Sequence, residues 1–345
     1  MKTVRTRFKT PGYVAGLCAG VLLSAAACGE APTAQEQASL DNPGIESTRS
    51  SLTASAIQKV FIVMMENQNA SDVYRSANAP YINQLMKDYG YSSNFVDVLP
   101  SYIPSEPHYV WLEAGTSSFA DYTFKGDADP SAKNSTSSTA HLVNLLERAG
   151  ISWTSYQEGV DASTGACPVA SNRTTAYAAK HNPFLFFRDV AGNPPSKTSA
   201  RCVSHSKSLS QLSADLRSGS VSSYNLITPT QCHDMHGATG CPSGSPVKAG
   251  DDFLRGLLPS LISYAAANKG LILLTWDEPE GALTQPFVVV APHLKSAGYE
   301  SRVRYDLSSV LKSVQQIFQV TPLLGHAADP STTNLSDFFK AGFFP

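Results

Sequence analysis

An α/β sandwich built on a mostly parallel sheet, with helices flanking it, is the fold class this sequence predicts. Three observations point to it: apolar runs short enough to be strands, stretches of helical spacing between them, and regular alternation of the two. The 345 residues, 42% hydrophobic and 16% charged, suffice for one large domain or two small ones. That balance, with 22 Pro and 23 Gly spread along the chain, excludes a disordered chain, a coiled coil and a collagen-like repeat. A net charge of −2, from 26 basic and 28 acidic residues, offers no basic field for nucleic acid. The only long apolar run is N-terminal, which excludes a polytopic membrane protein.

Residues 1–28 have the pattern of an export signal. Lys2, Arg5, Arg7 and Lys9 form a basic start, residues 13–27 are apolar and small, and Ser24-Ala25-Ala26-Ala27-Cys28 follows. That end resembles a lipoprotein processing site with Cys28 as the lipid-bearing residue. An ideal site has Leu where Ala25 stands, so ordinary cleavage near Ala27 is the alternative. No Arg-Arg pair is present, which favours the general export route. The expected location is the cell envelope, as a lipoprotein, or the medium. Removing residues 1–27 takes away four basic side chains and leaves 22 basic against 28 acidic, a net −6. Residues 29–54 carry no periodicity and read as a flexible tether of roughly 28 Å root-mean-square span. The folded domain then occupies 55–345.

Its elements follow in order. Residues 59–65 (KVFIVMM) are continuously apolar, as in a strand covered on both faces. Residues 80–89 are helical in spacing, 94–99 form a short strand, and 108–114 a helix after Pro-Ser-Glu-Pro. A helix over 139–149, a strand over 151–156, a helix over 209–217 and a strand over 223–227 come next. Residues 250–268 form a long helix with Asp251 and Asp252 in its first turn, favourable to the helix dipole. Strands over 271–276 and 287–291 and a helix over 306–318 complete the series. The Ser/Thr-rich stretches 131–139 and 196–222 read as surface loops outside that helix. With Cys18 removed and Cys28 lipidated, Cys167, Cys202, Cys232 and Cys241 remain, an even set in an oxidising compartment. Three pairings are open; Cys232 with Cys241 and Cys167 with Cys202 is the one expected. No CxxC spacing suggests a cysteine metal site.

In parallel sheets ligands sit at the carboxyl ends of strands, so the polar residues that follow the apolar runs matter most. KVFIVMM ends in Glu66-Asn67, and LILLTW ends in Asp277-Glu278. Each pair can present hard oxygen ligands to one cation, and two pairs at one sheet edge point to a divalent metal site. Ser105, in Pro-Ser-Glu-Pro-His108, starts a helix. Its hydroxyl there either caps the helix or, beside free N–H groups and a cation, acts as a nucleophile. His181-Asn182 and the Cys-His233-Asp234-Met-His236 run supply imidazoles for proton transfer or ligation. His141, His205, His293 and His326 read as structural.

VFIVMMENQNASDVY, PSEPHYVWLEAG, KHNPF, CHDMHG, LLTWDE, VVVAPHLK and YDLSSVLKSVQQIF resemble, in order from about residue 58 to 339, the blocks of the phosphoesterase family. That family joins bacterial non-specific phospholipases C to acid phosphatases, and the spacing is most similar to the short secreted acid-phosphatase branch, which includes a mycobacterial type acting on phosphoinositides. The resemblance implies an alkaline-phosphatase-like fold and hydrolysis of phosphate monoesters through a phosphoserine on Ser105. It implies a divalent metal at Glu66, Asn67, Asp277 and Glu278, catalytic roles for His181 and His236, and substrate contacts from Asn182, His108, His233 and Asp234. Three departures are visible. His108 stands where the family usually has Asn, Leu307 where it often has His, and the Gly-Gly-Phe-Tyr-Asp-His run of the larger phospholipases C is missing. The runner-up is a phospholipase C-type phosphodiesterase on lipid head groups, for which a lipid anchor on Cys28 would suit, although a net −6 disfavours adsorption to anionic lipid. A non-catalytic surface-binding lipoprotein is the third reading, opposed by the retention of Ser105 and both acidic pairs.

Overall fold

The computed structural model describes residues 56–345; the export signal, Cys28 and the whole tether lie outside the described residues. Eight strands form one sheet: β1 (Lys59–Met65), β2 (Gly90–Ser92), β3 (Trp153–Gln157), β4 (Ser206–Ser208), β5 (Tyr224–Thr228), β6 (Gly270–Trp276), β7 (Phe287–Val290) and β8 (Tyr299–Ser301). Their order is β4-β3-β5-β1-β6-β7-β2-β8, and every pairing is parallel except those of β7 with β6 and β2. The helices are α1 (Ala70–Val73), α2 (Pro80–Asp88), α3 (Ser105–Ala114), α4 (Leu142–Arg148), α5 (Arg188–Ala191), α6 (Ala200–His205), α7 (Leu212–Ser218), α8 (Pro246–Ala267) and α9 (Leu307–Ile317).

The two-residue period of the central strands divides the core. Val60, Ile62 and Met64 of β1, with Leu271 and Leu273 of β6, pack under α3, α4 and α9. Phe61, Val63 and Met65, with Ile272, Leu274 and Trp276, face α2, α7 and α8. Both faces of β1 and β6 are therefore covered, which is why their sequences are apolar without alternation. The disulfides Cys167–Cys202 and Cys232–Cys241 form as expected.

Some elements differ from the sequence reading. The second strand is Gly90–Ser92 rather than 94–99. Ser92 Oγ accepts the Asn94 N–H and turns the chain, so Phe95 and Val96 make only isolated bridges, to Tyr305 and Thr284. Helix α3 begins at Ser105, three residues early, because Pro107 sits in its first turn, where no N–H is needed. Helix α8 begins at Pro246 with Ser245 as its cap, its Oγ accepting the Lys248 N–H, so Asp251 and Asp252 lie in the second turn. Asp251 serves another helix: its carboxylate accepts the Tyr81 and Ile82 N–H groups at the start of α2. Residues 196–222, expected as surface loop around one helix, also contain α6 and the edge strand β4.

Candidate active site

The ladder between β1 and β6 pairs Met65 with Trp276, so the residues that follow each strand emerge side by side. Asn67 N–H donates to Asp277 Oδ1 at 3.1 Å, and Asn67 Nδ2 to Glu278 Oε1 at 3.0 Å. Glu66 is fully buried. Helix α3 brings in Ser105. Its Oγ lies 3.0 Å from Glu66 Oε2, 3.2 Å from Glu278 Oε1 and 3.4 Å from Asn67 Oδ1. The hydroxyl proton serves one of these oxygens, and a second contact is met only where a carboxyl carries its own proton. The capping role is excluded: Pro104 is the N-cap, without a side-chain cap bond, and the serine faces the acidic pairs. The amides beside it are not all free, because Glu106 N–H donates to Asp127 Oδ1 at 2.9 Å.

The loop after β5 adds a third acid. Glu66 N–H donates to the Asp234 carbonyl at 2.8 Å, and Asp234 Oδ1 accepts the His236 N–H at 2.8 Å. The His181 ring stacks on Tyr109, centroids 4.8 Å apart, with Nε2 3.4 Å from Glu66 Oε1 and Nδ1 3.9 Å from Asp234 Oδ2. Neither ring nitrogen makes a hydrogen bond. Tyr109 donates its hydroxyl to Glu66 Oε1 at 2.6 Å.

Burial, reinforced by mutual repulsion, pushes the carboxyls of Glu66, Asp234 and Asp277 well above the usual range; burial also raises Glu278. Burial and then the charge of Lys180 hold His181 well below the ordinary imidazole value, so it is neutral. Four carboxyls that resist ionisation, with Asp277 Oδ2, Asp234 Oδ2 and both His181 nitrogens unpartnered, suit a cation. Two side-chain groups have ligand atoms within 4.8 Å of one another: Glu66, His181 and Asp234; and Asp97, His108 and Glu278. In the second, both His108 nitrogens are already engaged. Its Nδ1 faces the Pro104 carbonyl at 3.0 Å, which only accepts, and its Nε2 faces Asp97 Oδ1 at 2.9 Å. Burial would lower the His108 pKa, but Asp97 and the nearby acids raise it to about 8.

The structure thus gathers Glu66, Asn67, Ser105, Asp234, Asp277, Glu278 and His181. Of the other expected substrate contacts, His108 comes within 4.8 Å of Glu278, while His233 and Asn182 bond elsewhere. His108 is fully buried with both nitrogens engaged. His233 Nδ1 faces Glu158 Oε1 at 2.8 Å, and its ring stacks on Phe253. Asn182 is buried, with Oδ1 accepting from Ser155 Oγ. His236 is exposed, its Nδ1 against the Gly237 carbonyl, and its charge is felt at His181. Tyr109 and Lys180 were not singled out in the sequence. Tyr109 lies four residues after Ser105, on the same helix face, and that spacing was a usable signal; Lys180 gave none beyond its place before His181.

The chain belongs to the Phosphoesterase family, whose model matches residues 57–321. Over 296 residues it is 28% identical to a "Probable acid phosphatase" of Kluyveromyces lactis, covering 83% of this chain and 64% of that protein. Over 290 residues it is 25% identical to a "Phosphatidylinositol-3-phosphatase" of Mycobacterium tuberculosis, covering 82% and 85%. Among solved structures, a protein in the alkaline phosphatase superfamily from Vibrio parahaemolyticus superposes with a TM-score of 0.51 at 9% identity, over 79% of this chain and 70% of that one. A protein of glycosaminoglycan metabolism in Bacteroides thetaiotaomicron gives 0.51 at 12% identity, over 83% and 77%. The fold is of the alkaline-phosphatase type.

Proposed function

We propose that the protein is a metal-dependent phosphomonoesterase of acid-phosphatase type working through a phosphoserine on Ser105. The observation that carries the reading is the Ser105 hydroxyl set among Glu66, Asn67 and Glu278 at the ends of two paired strands. Glu66, Asn67, Asp277 and Glu278 would hold the divalent ion, with His181 and Asp234 on the far side of Glu66. When bound, the ion supplies positive charge that lowers the hydroxyl's pKa and offsets the charge of the phosphoryl group. Ser105 Oγ then attacks phosphorus, and its proton leaves along the short contact to Glu66. The bond from phosphorus to the alcohol breaks, and the departing oxygen takes a proton from solvent. Water attacks the phosphoserine, neutral His181 accepts its proton, the bond from phosphorus to Ser105 Oγ breaks, and the serine oxygen takes back the proton held by Glu66, leaving inorganic phosphate and free Ser105. Similarity to the mycobacterial relative supports a phosphoinositide among the monoesters. Export, with attachment through Cys28, belongs to the same reading.

The test is phosphate release from a chromogenic phosphomonoester, with and without chelator, beside choline release from a phosphocholine ester. Ser105→Ala should lower turnover by about a thousandfold or more while the melting temperature stays put. Wild-type turnover in that variant would sink the mechanism, and choline release alone would promote the phosphodiesterase.

A further inference from the structure

We propose that Lys180 is the cation that binds the terminal phosphoryl oxygens of the substrate beside Ser105, and that it thereby selects dianionic monoesters over diesters. The inference deepens the phosphomonoesterase reading and rests on it. Lys180 pairs with Asp127 Oδ2, and the other oxygen of that carboxylate accepts the Glu106 N–H at 2.9 Å. The ammonium is therefore one carboxylate away from the first turn of the helix that carries Ser105. Asp127 takes one of the three ammonium N–H groups, and the others make no hydrogen bond among the described residues. The side chain is 18% exposed and Asp127 32%, so the pair is reached by solvent.

Lys180 directly precedes His181, whose Nε2 lies 3.4 Å from Glu66 Oε1 and whose Nδ1 lies 3.9 Å from Asp234 Oδ2. Lys180 draws the Glu66 and Asp234 carboxyls down, against their burial. Burial would lower the lysine's own pKa, but Glu66, Asp127 and Asp277 outweigh that and keep it charged. A phosphate dianion approaching four carboxylates meets repulsion that a cation in this position offsets. The helix terminus offers less than its sequence suggests, since Asp127 already occupies the Glu106 N–H. A monoester presents three terminal oxygens and up to two charges, a diester two oxygens and one charge, so the lysine contributes more to the first.

Inorganic phosphate is the probe, titrated calorimetrically into wild-type, Lys180→Gln and Lys180→Arg proteins with divalent ion supplied, alongside KM and kcat for a monoester and a diester. In Lys180→Gln, phosphate affinity should fall at least about tenfold, monoester KM should rise similarly, and diester KM should move less. Lys180→Arg should recover most of the phosphate affinity. A Lys180→Gln protein that loses melting temperature but keeps phosphate affinity would overturn the proposal and leave the lysine as a tether for Asp127. Equal losses on both esters would overturn the selectivity. Phosphate binding reads Lys180 without turnover, so a wild type that binds phosphate but cleaves neither ester would count against the phosphomonoesterase reading and not against the lysine.

Discussion

Asp277 accepts the Asn67 N–H through Oδ1 and leaves Oδ2 buried without a partner. Such an atom costs on the order of 1–3 kcal/mol, a cost that a cation removes. Asp277→Asn should therefore lower the bound divalent ion by at least about tenfold, measured by elemental analysis after dialysis at fixed free metal; an unchanged content would move the site elsewhere. Glu66, Asn67, Asp277 and Glu278 were legible because each pair follows an apolar run, and the sheet register does the rest. Where His108 and His233 point was not legible. Each is captured by an acid distant in sequence, Asp97 and Glu158, and one-dimensional spacing does not carry that pairing.

At the scale of elements, the site depends on how closely α8 approaches the loop that carries Asp234. Met235 has a φ of 80°, in the left-handed region, and its side chain lies over Gly250. A Cβ at Gly250 would stand 2.3 Å from Met235 Cγ and 3.0 Å from the His233 carbonyl, so the loop must shift to admit one. Gly250→Ala should cost about 1–3 kcal/mol of stability and lower turnover at least about tenfold, because Asp234 moves with Met235. Gly256→Ala, on the same helix with nothing within 4 Å of the new Cβ, is the control and should leave turnover unchanged. Full turnover and an unaltered melting temperature in Gly250→Ala would refute the packing argument. The sequence showed the long helix and placed its start near Gly250, four residues late. Ser245 and Pro246 are an ordinary cap and first-turn proline, but the apolar spacing that marks the helix becomes regular only further on.

For the whole molecule, alternation of strand and helix was enough to predict a mostly parallel sheet, and the antiparallel β7 needed the structure because direction leaves no mark on an apolar run. The same architecture concentrates charge: parallel strands end at one edge, and four acids collect there away from water. That makes stability depend on pH and metal together. The metal-free folded state holds protons on Glu66, Asp234, Asp277 and Glu278 at pH values where the unfolded chain has released them. At these four groups the folded state binds more protons, so their contribution to stability is greatest below the ordinary carboxylate range of about 4 and falls as pH rises toward the raised values. A bound divalent ion favours the ionised carboxylates and opposes that loss. Chelated protein should thus show a melting temperature that declines from about pH 5 to pH 8, while protein with saturating metal holds nearly level. At 100 times the dissociation constant the ion stabilises by about 2.7 kcal/mol, or roughly 4 °C for a domain of this size, and the gap should widen with pH. Parallel melting curves across that range, with and without chelator, would show that no cation is held at the acidic edge of the sheet.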